Sequence, residues 1–201
     1  LAAAGHSLRL KKLFNGVAGR SLTGKPALEI RYERKPGKRE GAECGVAGKA
    51  APVDPAQELD PCDELWLEFR NRTAAPLDVS LLYFDAAFGV TAIWPLGGLS
   101  NRLLPGEGAR AGLRIDPGQA AGLEELMLLA VPVEPEAERV DLTRLATSGR
   151  FRGLGDPATE WFAARLEAEP GTARGFSLRP APLNMMRQLI RVAPQDGETG
   201  R

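Results

Sequence analysis

A chain of 201 residues is long enough for one domain of ordinary size with peripheral segments. Hydrophobic residues make up 43% and charged residues 26%, the balance of a globular protein and not of a disordered one. The 26 Lys and Arg residues match the 26 Asp and Glu residues, which argues against a nucleic-acid partner or an anionic membrane; the longest apolar stretch, Leu126 to Val133, is far short of the roughly 20 residues a spanning helix needs.

The first residues, Leu1-Ala2-Ala3-Ala4, have neither the charged start nor the sustained apolar core of a signal peptide, and no Met precedes them. The chain therefore reads as a piece of a longer protein, with a cytoplasmic location expected. Leu8, Leu10, Leu13, Phe14 and Val17 have the spacing of a short helix with Arg9, Lys11 and Lys12 on its basic face. Leu28, Ile30 and Tyr32 alternate with Glu29, Arg31 and Glu33, the period of a half-buried strand, and Lys35-Pro36-Gly37-Lys38 is predicted to turn. From Arg39 to Pro61 the residues are polar and small, which predicts a long loop. It holds both cysteines, Cys44 and Cys62, expected as unpaired thiols; a disulfide between them is the alternative, open only in an oxidising compartment.

Leu65, Leu67 and Phe69 alternate with Glu64, Trp66, Glu68 and Arg70, a strand with one apolar face. Leu77 to Phe84 is apolar at nearly every position, as suits a central strand covered on both faces, with Val79, Leu81 and Tyr83 on one side and Leu82 and Phe84 on the other. Asp85 to Gly89 closes a hairpin, with Gly89 expected to accept the positive φ; Val90 to Trp94 returns as the partner strand until Pro95 ends it. Ala111 to Ile115 and Glu125 to Val133 are further strands, and Asp141 to Ala146 forms a turn or two of helix. Asp156-Pro157 caps a helix with Ala158, Trp161, Phe162 and Leu166 on one stripe. Gly175 to Leu178 and Gln188 to Val192 are candidate final strands. The whole predicts a mainly β, Ig-like β-sandwich of about six to seven strands with peripheral helices. Residues 1–62 supply a helix, a strand and a loop packing on the core, 63–194 the sandwich with a helical insertion near 156–169, and 195–201 a disordered tail.

A reaction centre is not legible in these residues. One histidine, His6, cannot supply a zinc site, and with no CxxC the two cysteines are weak ligands. No G-x-S-x-G elbow is present for a serine hydrolase, and Gly153-Leu154-Gly155 and Gly24-Lys25 lack the rest of a nucleotide-binding loop. No metal or cofactor is expected. The candidate interaction residues are Trp66, an aromatic platform unless the N-terminal segment or tail helix covers it, and Asp85 and Phe88 in the hairpin turn. Arg102 is read as an anchor for a partner's carboxylate, or else as a solvated loop arginine.

Four pieces, Asp63 to Asn71, Leu77 to Asp85, Phe88-Gly89-Val90 through Trp94-Pro95, and Ser100-Asn101-Arg102-Leu103 with Pro105-Gly106, together resemble the accessory domain C-terminal to the peptidase domain in many bacterial caspase-like, metacaspase-related proteins. The resemblance implies a β-sandwich-like, non-catalytic module acting in protein interaction, substrate recruitment or regulation of the linked peptidase. The His/Cys dyad belongs to the peptidase domain, so no catalytic residue is carried over. An independent carbohydrate- or ligand-binding sandwich, using Trp66 and the acids around it, is the alternative.

Overall fold

The computed structural model describes residues 2–18, 26–41, 43–147 and 183–194. The expected helix at 156–169, the strand at 175–178 and the tail at 195–201 lie outside them. The chain is mainly β, a β-sandwich with peripheral helices, and no helix among the described residues is long and apolar enough to cross a membrane.

The smaller sheet has the order β10 (Gly108–Arg114), β6 (Glu64–Asn71), β1 (Leu28–Lys35), β4 (Ala51–Pro52). The larger runs β5 (Glu58–Leu59), β12 (Asn184–Val192), β11 (Gly122–Pro132), β7 (Leu77–Phe84), β8 (Val90–Trp94), with β9 (Arg102–Leu103) also on β7. β1 is an inner strand, so the sandwich draws on both sides of position 62. Twelve strands are present among the described residues, more than the six or seven expected, because β4, β5 and β9 have only two residues each and show no periodicity.

Alternation in the sequence builds the two faces of the larger sheet. Val79, Leu81 and Tyr83 of β7 with Leu126, Leu128 and Ala130 of β11 point into the sandwich, where Leu65, Leu67 and Phe69 of β6 meet them. Leu82, Phe84, Met127, Leu129 and Val131 point the other way, onto Leu10 and Phe14 of α1 (Ala2–Ala18) and onto Leu142 and Leu145 around α2 (Arg144–Thr147). Each fully buried Leu or Phe contributes roughly 1.5–3 kcal/mol, so the doubly covered pair β7 and β11 is the energetic centre. The short helix expected at 8–17 extends over 2–18.

The segment 39–61 departs from the expected loop. β2 (Gly37–Glu40) and β3 (Glu43–Val46) form a two-stranded ribbon turning near Gly41, while β4 and β5 join the two main sheets. Lys35 to Lys38 does not turn: proline's φ suits extended chain, and Gly37 N–H donates to Asp63 Oδ1 (3.1 Å). Cys44 and Cys62 are joined in a disulfide, with Cα atoms 5.2 Å apart, which corrects the expectation of free thiols. Spacing alone could not show that β3 would lie beside the chain entering β6.

Candidate functional site

The hairpin turn carries Asp85 and Phe88. Asp85 Oδ1 accepts from Gly89 N–H (2.6 Å), its carbonyl accepts from Phe88 N–H (3.1 Å), and its own N–H donates to the Gly89 carbonyl (3.2 Å). Asp85 is thus a turn residue with its carboxylate turned inward. The positive φ falls on Phe88 (67°) instead of on Gly89. Gly89 is required for another reason: a Cβ there would sit 2.2 Å from Asp85 Oδ2. Phe88 takes a left-handed conformation costing roughly 1–2 kcal/mol for an L-residue, and the residue is 47% exposed.

Trp66 stands on the outer face of the smaller sheet, half-buried. Neither α1, which lies on the other sheet, nor any other described helix covers it. Its cover comes from the neighbouring strand. The ring lies against Gly112, where a Cβ would approach its carbons to 2.7 Å, and the Arg110 guanidinium stands 4.6 Å from the ring centroid. Its indole N–H donates to Glu64 Oε2 (2.9 Å). That hydrogen bond, ahead of the nearby Lys35, holds the Glu64 carboxyl below its usual range even against the opposing effect of burial. The ring is already engaged within its own sheet.

Arg102 is neither a solvated loop arginine nor a free anchor. It lies in β9 and gives Asp78 two hydrogen bonds, Nε to Oδ1 (2.8 Å) and Nη2 to Oδ2 (3.0 Å). Asp78 is wholly buried and also accepts from Val140 N–H (2.9 Å), while Arg102 Nη1 donates to the Pro135 carbonyl (2.8 Å). Donating to the Asp78 carboxylate raises the Arg102 pKa and keeps the guanidinium charged. With Ser80 Oγ accepting from Leu142 N–H (3.0 Å), this pair clamps residues 135–142 onto β7.

Sequence reasoning missed two buried acids at the start of β11. Glu124 points into the sandwich and accepts from the Tyr83 hydroxyl and from Gln119 Nε2 (2.9 Å). Burial first, and then the Glu124 carboxylate, push the Tyr83 pKa up, so this phenol stays protonated. Glu125 points to the α1 face and is held by Lys11 Nζ (2.8 Å) and by Arg187. The signal was two adjacent acids on opposite faces of a buried strand, each of which requires a partner. In the cluster around Tyr83, Gln119 Nε2 donates to the Tyr83 hydroxyl oxygen and to Glu124, and the Tyr83 hydroxyl donates to Glu124, so its donors are satisfied internally. No grouping of three or more His, Cys, Asp or Glu suited to a metal ion occurs among the described residues.

Burial opposes ionisation of Glu125, but hydrogen bonds from Arg187 and Lys11 overcome it and leave the carboxyl below its usual range. A depressed folded-state pKa gives stability that is full above the unfolded value of about 4.3 and is lost as pH falls through the folded value. Melting temperatures measured across the acid range should therefore fall less steeply for Glu125→Gln than for the wild type. Parallel acid limbs would exclude Glu125 as the group responsible.

No family model matches the chain, and no curated protein matches it. Among solved structures, the C-terminal domain of wzt is similar at a TM-score of 0.35 and 8% identity, over 91% of this chain and 86% of that one. A likeness this distant assigns neither fold nor function.

Proposed function

We propose that the chain is a non-catalytic, protein-binding module that accompanies a caspase-like cysteine peptidase and recruits or restrains that enzyme's substrate. The observation that carries the binding role is Phe88, a half-exposed aromatic held in left-handed backbone at a hairpin tip. Strain of this kind clusters at functional sites. The connection to a peptidase rests on the four sequence pieces between Asp63 and Gly106. A glycan platform at Trp66 has less support, since Arg110, Gly112 and Glu64 already engage the indole. The Cys44–Cys62 bridge fits an oxidising compartment better than the cytoplasm.

Phe88→Gly tests the reading. Relief of the left-handed strain, less the greater unfolded-state entropy of glycine, leaves stability unchanged or raised by up to about 1 kcal/mol in urea unfolding. In the full-length protein the same variant should alter peptidase turnover of protein substrates to the extent that deleting the whole module does. Wild-type turnover in Phe88→Gly, or in the deletion, would sink the reading.

A further inference from the structure

Between the bend at Ala75 and the residues that follow β11 lies a groove of about 430 Å³. Ala75, Val133, Ala137 and Val140 give its apolar lining, and Glu134 and Glu138 its polar one. Hydrogen bonds fix both walls. Val133 N–H donates to the Pro76 carbonyl (3.1 Å), tying one wall to the other, and Ala137 N–H donates to the Glu134 carbonyl (3.1 Å), closing a turn with Pro135 at its second position. Asn101 Nδ2 donates to the Val140 carbonyl (2.8 Å), and Arg102 Nη1 holds Pro135. The groove is thus preformed.

Its charge is not balanced from within. Over residues 132–140, Glu134, Glu136 and Glu138 stand against one cation, Arg139. The carboxylates of Glu134 and Glu138 accept no hydrogen bond and form no salt bridge among the described residues. Arg102, beside them, is committed to the buried Asp78, and that pair is neutral. An apolar lining with unpaired carboxylates matches a side chain that is hydrocarbon along its stem and cationic at its tip, that of lysine or arginine. A calcium ion fits less well, because two carboxylates beside hydrocarbon leave most of its oxygen shell unfilled.

We infer that this groove docks a lysine- or arginine-rich segment of a protein partner, its aliphatic stems on Val133 and Ala137 and its cations toward Glu134 and Glu138. The Asp78–Arg102 pair then holds the recognition wall in place. This rests on reading the chain as a protein-binding module, but it uses neither Phe88 nor the peptidase. The groove lies at the Leu77 end of β7 and Phe88 beyond the Phe84 end, about 25 Å of strand apart, so the two surfaces can fail separately.

The probe is a labelled peptide of about eight residues alternating lysine with alanine, titrated into the whole chain by fluorescence anisotropy. Its glutamate twin and spermine are run in parallel. The lysine peptide should bind saturably and more weakly as salt rises. Glu134→Lys or Glu138→Lys should weaken it about tenfold at unchanged melting temperature. Ala137→Phe, which fills the groove without altering charge, should weaken it as much; if that variant melts early, the two charge reversals decide. Glu68→Lys, the same change of charge on the outer face of the smaller sheet, should leave binding unchanged, as should Phe88→Gly. No binding of the lysine peptide, equal binding of the glutamate twin, an equal loss in Glu68→Lys or Phe88→Gly, or displacement by spermine at concentrations below the peptide's own Kd would each overturn the inference.

Discussion

Replacing Asp78 by alanine is expected to lower the unfolding free energy by about 3–5 kcal/mol. Asp78 is fully buried and the Arg102 side chain is only 12% exposed, so the substitution strands a guanidinium away from water. It also removes the acceptor for Val140 N–H and so loosens the 135–142 clamp. The loss measures the unpaired charge more than the attraction of the pair. For that reason Asp78→Ala combined with Arg102→Met should recover much of it, and urea unfolding of both single variants and the double would read the coupling directly. A cost under about 1 kcal/mol for Asp78→Ala would mean that the pair behaves as a surface ion pair and clamps nothing.

Removing the disulfide should cost about 3 kcal/mol, the chain entropy released when a closed loop of this size is opened. The sequence separation is 18, and the bridge ties the β2–β3 ribbon to the residue before the buried Asp63. β2 has no buried residue, and its remaining link to the core includes the single hydrogen bond from Gly37 to Asp63. Part of the loss should therefore be local. Cys44→Ser/Cys62→Ser, and equally the reduced wild type, should melt at a lower temperature and be cut by trypsin after Lys38 or Arg39 before the sandwich unfolds. An unchanged melting temperature with an intact ribbon would show that the bridge does not constrain this segment.

Where a residue's fate depends on its immediate neighbours, the sequence was readable. β6, β7, β8 and β11 declare themselves because their apolar residues either alternate or fill both faces, and the division of β7 into Val79, Leu81, Tyr83 against Leu82, Phe84 is the division between the two cores. The β2–β3 ribbon was hidden for the complementary reason: Lys38, Arg39 and Glu40 are all exposed, so no buried face imposes a period. Arg102 was misread because its partner lies 24 residues away in sequence. The clue was Asp78 itself, an acid inside a strand predicted to be covered on both sides, which needs a cation nearby. Phe88 was read correctly as a turn residue, yet its backbone was not, since the demand on Gly89 comes from the Asp85 carboxylate and leaves the left-handed position to its neighbour.

The order of strands in the larger sheet also governs when the molecule can be completed. β12, the last strand among the described residues, is inserted between β5 and β11 and pairs with β11 from Gly122↔Val192 to Ala130↔Asn184. Until Val192 has left the ribosome, the 11-residue β11 keeps one bare edge beside its pairing with β7. A nascent or prematurely ended chain thus displays a long apolar strand edge of the kind that recruits other chains. Synthesis of the final described strand is the step that closes it.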